Sequence, residues 1–233
     1  MTLLAAAVEP SCYNSNVNEW WCGAYFTDYR AELVEATTQH LVITITAIVA
    51  SILVAFPLAL LARRAQRLET VITGASTALY TVPSLALFPL LVPFTGISAT
   101  TVVIGLALYA LTILVRSILD GLRSVPDDVR ESARGLGYGA ASQLLRIELP
   151  LALPVMMAGL RVATVSTVAL TTVGALVANG GLGNLIADGV TTNFRAELLA
   201  ACLLCVAIAV LLDVLIVGLQ RLVTPWTRAE VSR

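Results

Sequence analysis

Residues 41–62 read LVITITAIVASILVAFPLALLA, an uncharged run closed by Arg63 and Arg64. About 20 apolar residues in helical form are enough to cross the hydrocarbon core of a bilayer. A barrel strand would alternate polar and apolar side chains, and this run does not. Inside a bilayer there is no water to bond the backbone, so the run is predicted as a membrane-spanning helix. Working outward, four more stretches read alike: about 71–94, interrupted by Pro83, Pro89 and Pro93, then 98–119, 151–178 and 196–222. The expected fold is all-α and integral to a membrane, with about five transmembrane helices.

Composition points the same way. Of 233 residues, 58% are hydrophobic and only 12% charged, with a mean hydropathy of +0.88; a soluble domain carries roughly twice that charge. Disorder and an ordinary soluble enzyme are excluded, and a net charge of −1 excludes the usual basic nucleic-acid surface. All 14 basic residues are Arg. Without Lys there is no Walker A loop and no Schiff-base amine, so the chain cannot hydrolyse ATP by P-loop chemistry on its own. With one histidine, His40, and no metal-ligand spacing, no metal site is expected. Cys202 and Cys205 form a C-x-x-C inside an apolar run and read as small hydrophobes. Cys12 and Cys22 lie in a polar, turn-rich segment, where a disulfide is expected if that segment faces an oxidising compartment.

Arginine placement sets the expected orientation. With the N-terminus outside and the C-terminus inside, eleven Arg fall on the cytoplasmic side. Only Arg30 and Arg195 fall outside, and Arg161 lies within a span. Residues 1–37 then form an extracytoplasmic or interfacial segment, acidic and aromatic, with Trp20 and Trp21 suited to the headgroup layer. Met1–Val8 is too short for a signal peptide and lacks its positive start; it reads as a mobile N-terminus. His40 is expected at the interface, and residues 227–233 as a cytoplasmic tail.

The stretch from about 120 to 150 is long for a connection. Ser124 is expected to cap a helix starting near Val125 and Pro126, with Asp127 and Asp128 at its positive end. Val125, Val129, Ala133 and Leu136 recur at helical spacing and form one apolar stripe. Gly137 and Gly139 interrupt the helix, Gly being the residue that permits a left-handed cap. A second short helix over about 140–147 leads back to the membrane at Leu149 and Pro150. Such a unit either packs on its own spans or docks into a groove of another protein.

The residues Glu131-Ser132-Ala133, x3, Gly137, x9, Ile147-x-Leu149-Pro150 resemble the EAA loop of ABC importer permeases, E-A-A-x3-G-x9-I-x-L-P, with Ser132 for Ala as the one departure. Further segments resemble the osmoprotectant branch: residues 82–87, 148–155, Ala158 to Arg161, and Gly180 to Ile186. The likeness covers about 38–226, which would be the permease domain, and leaves residues 1–30 unassigned. It implies that Glu131, Ser132, Ala133, Gly137, Ile147, Leu149 and Pro150 are ATPase-coupling positions in a cytoplasmic coupling-helix loop. It implies a multi-pass protein of the bacterial inner membrane that binds no cofactor itself, with ATP and Mg²⁺ held by two partner ATPase subunits. A second permease copy or paralogue and an extracytoplasmic substrate-binding protein complete the assembly. The cargo would be a quaternary ammonium compound such as glycine betaine, choline or carnitine. Methionine or another amino acid is an alternative cargo. A channel or structural subunit without an ATPase is an alternative of a different class.

Two charges lie deep in the spans. Arg161 and Asp213 sit about eleven and nine residues from the inner ends of spans four and five, at similar depth at 1.5 Å per residue. Burying a charge there is costly, so they either pair or separately bond helix ends and water. The prolines of span two remove backbone donors and bend the helix. Pro83, with Tyr80 and Tyr109, is a candidate lining of a pathway; packing kinks are the alternative. The glycines at 180–183 read as a tight outer turn or gate loop.

Overall fold

The computed structural model describes residues 11–14, 16–177 and 180–228. The expectations for Met1–Val8 and for most of the C-terminal tail lie outside the described residues. Among the described residues all regular structure is helical. Four helices are long and apolar enough to cross a membrane: α2 (Arg30–Ala62), α5 (Ala99–Arg123), the continuous helical rod Ala140–Val177, which contains α8 (Leu149–Thr171), and α10 (Arg195–Val223). A fifth span is supplied if α3 (Gln66–Thr81) and α4 (Ser84–Thr95) are counted as one, bent by 100°. Short helices fill the rest: α1 (Gly23–Asp28), α6 (Asp127–Gly135), α7 (Ala140–Gln143) and α9 (Leu182–Thr191).

The bend falls at one proline, not three. Val82 is extended, as a residue before proline prefers, and Pro83 starts α4, while Pro89 and Pro93 lie inside it without breaking it. The first span also begins earlier than hydropathy suggested. The polar residues 30–40 continue the helix of 41–62 without a break, so α2 runs through the boundary placed at residue 37.

α5 is the central helix. It packs against α2 and α8, and the three share an apolar cluster that includes Ala55, Ala59, Val115, Leu119 and Ala152. Small residues set the spacing. A Cβ added at Gly159 of α8 would stand 2.1 Å from the Cβ of Ser117 on α5, so the two backbones approach as closely as glycine allows. A second cluster closes the opposite end, where α1, α9 and α10 meet around Tyr25, Leu182 and Ala200. Val206, Val210, Val214 and Leu222 of α10 remain exposed, as side chains facing lipid must.

Gly159→Ala should therefore cost about 1–3 kcal/mol of stability through overpacking. Ser117→Gly in the same chain should recover most of it. Thermal unfolding of the purified protein in detergent measures both, and equal melting of the wild type and Gly159→Ala would contradict the close approach.

Candidate functional site

The loop between α5 and α8 is built around a buried carboxylate. The Glu148 side chain is 3% exposed and accepts from Arg63 Nη2 at the end of α2 at 2.7 Å. Gln143 Nε2 of α7 donates to it at 2.9 Å. Arg130 Nε of α6 lies 3.9 Å from the same group. Arg130 also donates to Asp127 at 2.9 Å and to the carbonyl of Leu122 at the end of α5. Four elements are thus tied to one point at the loop end of the bundle. Beside it, Arg63, Arg123, Arg130 and Arg134 with Glu69 and Glu148 line a cavity of about 370 Å³. Glu148 was missed by sequence reasoning. The available signal was an acidic residue in the I-x-L-P stretch, where the surrounding charges are arginines.

The apolar stripe divides. Val125 and Ala133 are buried and Val129 packs on the bundle, while Leu136 is 79% exposed. α6 ends in a left-handed turn at Gly137, φ +83°; Gly139 has an ordinary negative φ. Ser124 does not cap α6. Its hydroxyl donates back to Gly121, where it ends α5, and Pro126 precedes the first turn, which keeps Asp127 and Asp128. The second short helix is not separate either. α7 passes through a π-helical turn at Leu144–Glu148 directly into α8. Pro150, in the first turn of α8 just beyond, has no N–H to return to the carbonyl four residues back. Of the motif positions, Glu131, Ser132 and Gly137 are exposed, Ala133 is buried, and Ile147, Leu149 and Pro150 are half-buried.

The structure brings other singled-out residues together. Arg161 and Asp213 form a two-pronged ion pair, Nε–Oδ1 2.7 Å and Nη2–Oδ2 2.8 Å. Tyr80 and Tyr109 meet edge to face at 5.6 Å beside Pro83. Tyr109 donates to the Val82 carbonyl, so a side chain caps the backbone at the bend. Cys12 and Cys22 are disulfide-bonded, while Cys202 and Cys205 are free. His40, expected at the interface, lies inside the protein. It is fully buried, with Nε2 3.1 Å from the Val168 carbonyl of α8. The glycine run leads straight into α9, the Gly180 N–H bonding Asn184 Oδ1 at 3.0 Å.

Residues 47–229 match the family of binding-protein-dependent transport system inner membrane components. The chain belongs to this family. It is a multi-pass transport component, not itself an enzyme. It is 35% identical over 206 residues to the osmoprotectant import permease protein OsmW of Salmonella typhimurium, covering 86% of this chain and 96% of that protein. It is 31% identical to the glycine betaine/carnitine/choline transport system permease protein OpuCD of Bacillus subtilis, covering 87% and 89%. Among solved structures, an inward-facing MetNI methionine ABC transporter superposes with a TM-score of 0.78 at 19% identity, covering 84% of this chain and 98% of that one. That likeness speaks for the fold.

Glu148→Ala should strand Arg63 and Gln143, which both donate to it, and lower stability by about 1–3 kcal/mol, Arg63 being partly solvated. Glu148→Gln should cost less, since it can still accept. Melting curves in detergent rank the two. For the pair within the spans, Asp213→Asn should impair assembly, and exchanging Arg161 and Asp213 should restore part of it, read as yield of folded protein after solubilisation.

Proposed function

We propose that this chain is the membrane-spanning permease of a bacterial ATP-driven importer for osmoprotectants of the quaternary ammonium kind, such as glycine betaine, choline or carnitine. Its relatives' names support the cargo. The observation that carries the coupling role is a loop clamped at its base by Glu148 and bare at its tip, with Leu136 and Tyr138 exposed. A tip of that kind suits a groove in another protein. In the proposed orientation the N-terminus is outside, the loop cytoplasmic and the membrane the inner one. Five spans make too small a bundle to enclose a path alone, so a second copy or a paralogue pairs with this chain. Two ATPase chains bind ATP and Mg²⁺, and a separate binding protein delivers the cargo. The amino-acid alternative rests on fold likeness alone.

The mechanism follows from continuity. The rod Ala140–Val177 is about 57 Å long at 1.5 Å per residue. Closure of the ATPase pair displaces the loop, and the Glu148 anchor makes α6, α7 and the inner end of α2 move as one body. The rod carries that displacement to the far end, where Val168 meets His40 and Thr171 meets Thr44 at 3.0 Å.

Gly137→Val places a β-branched residue at positive φ and costs about 1 kcal/mol or more locally. Glu131→Arg reverses a charge on the exposed tip. Either change should leave the spans inserted while abolishing substrate-stimulated ATP hydrolysis and uptake of labelled choline or glycine betaine together, measured on the reconstituted complex. Unchanged uptake in both would favour a channel or structural subunit.

A further inference from the structure

The N-terminal segment, which the family resemblance leaves unassigned, forms one wall of a cleft at the outer end of the bundle. The cleft has a volume of about 640 Å³, and Tyr13, Tyr29, Phe194, Glu32, Asp188 and Glu197 face it. These residues come from three places in the chain: the disulfide loop, the α1–α2 region and the α9–α10 turn. Two devices hold them in register. The Cys12–Cys22 disulfide closes the loop that presents Tyr13. Asn18 then clamps that loop to the α9–α10 turn, donating from Nδ2 to the Asn193 carbonyl at 2.7 Å and accepting from the Arg195 N–H at 3.0 Å.

The aromatic part has the shape of a corner. The rings of Tyr13 and Tyr29 stand at 89° with centroids 5.7 Å apart, and Phe194 lies 6.4 Å from each. The Tyr13 hydroxyl is fixed on Asp28 Oδ2 at 2.8 Å. Behind them Tyr25 stacks on Tyr29 at 4.6 Å and is buried.

The acidic part is uncompensated. Glu197 is 5% exposed, yet among the described residues no hydrogen bond or ion pair reaches its carboxylate, which opens on the cleft. A buried carboxylate without a partner is costly to keep ionised, and a cation seated in the cleft would favour its charged form. No basic side chain lines the cleft; the Arg195 guanidinium is drawn off over the Trp20 ring, 5.6 Å from its centroid. Burial above all, and then the neighbouring carboxylates of Glu197 and Glu32, push the Tyr25 phenol well above its usual pKa. Among the described residues no three His, Cys, Asp or Glu are grouped closely enough to hold a metal ion. Dispersed carboxylates beside aromatic rings suit a large, weakly hydrated organic cation, which has no N–H to satisfy and binds through ring faces and charge.

We propose that this cleft is a receiving site on the permease itself for a quaternary ammonium cation, accepting it at the mouth of the path. The site deepens the osmoprotectant reading and rests on it. It also sets a preference. Choline, a cation, is held more tightly than glycine betaine, whose own carboxylate meets three others.

The test is equilibrium binding of labelled choline to the complete permease–ATPase complex in nanodiscs, with no binding protein present. Uptake with the binding protein is measured in parallel on proteoliposomes. Saturable choline binding is expected, at least tenfold tighter than binding of the uncharged isostere 3,3-dimethylbutanol and severalfold tighter than that of glycine betaine. Tyr29→Leu and Glu197→Gln should each weaken choline binding about tenfold. Glu32→Gln with Asp188→Asn, both on exposed residues, should weaken it severalfold without a folding burden. Equal affinity for choline and the uncharged isostere would overturn the proposal, as would wild-type choline binding in the doubly neutralised variant. Variants that lose uptake but keep direct choline binding would make the cleft a contact for the binding protein, and would overturn it too. Choline uptake without direct binding sinks the receiving site and leaves the transport function standing. Direct binding without choline uptake sinks the cargo assignment and keeps a cation site.

Discussion

A carboxylate buried at the loop end of the bundle needs partners, and Glu148 gathers them from separate elements. Arg63 comes from the end of α2, Arg130 from α6 and Gln143 from α7. Breaking one side of such a cluster leaves charge without compensation, so the elements stay together. The loop therefore has a fixed base, and what remains exposed, Leu136 through Tyr138, projects from it as a rigid tip. A solvated connector would have no reason to bury an acid among arginines.

The same logic of satisfied polar groups shapes the interior. The α3–α4 bend exposes backbone that a bilayer could not hydrate, and Tyr109 covers it by donating to the Val82 carbonyl. Thr112 likewise donates to the Ser76 carbonyl at 2.7 Å, and Arg161 and Asp213 cancel one another between α8 and α10. Packing between spans relies on small residues, with Gly159 facing Ser117. These contacts make α5 and α8 a stiff pair, a geometry in which movement at the loop end can reach the far end.

Hydropathy made the spans legible, since a lipid solvent demands long apolar runs, and the motif spacing located the loop. Three things escaped. Polar helix ends carry no hydropathy signal, so the start of α2 at Arg30 and the burial of His40 on it were not legible. Capping is a local competition: Ser124 ends α5 instead of starting α6. Long-range partners leave no periodic trace, so the Glu148 cluster and the cleft built by Asn18, Tyr29 and Glu197 became visible only when the chain was folded. The depth argument did bring Arg161 and Asp213 to one level, because rise per residue in a helix is fixed.

The central claim is that the tip of the loop sits in a separate ATPase and moves with it. Cross-linking tests it most directly. Leu136→Cys, in a chain whose Cys202 and Cys205 are replaced by serine, is treated with a short bifunctional thiol reagent in membranes containing the co-expressed ATPase. The account predicts a permease–ATPase adduct whose yield changes when ATP is added. A thiol at residue 136 that gives no adduct, and that reacts with a membrane-impermeant reagent on intact cells, would contradict both the coupling role and the orientation.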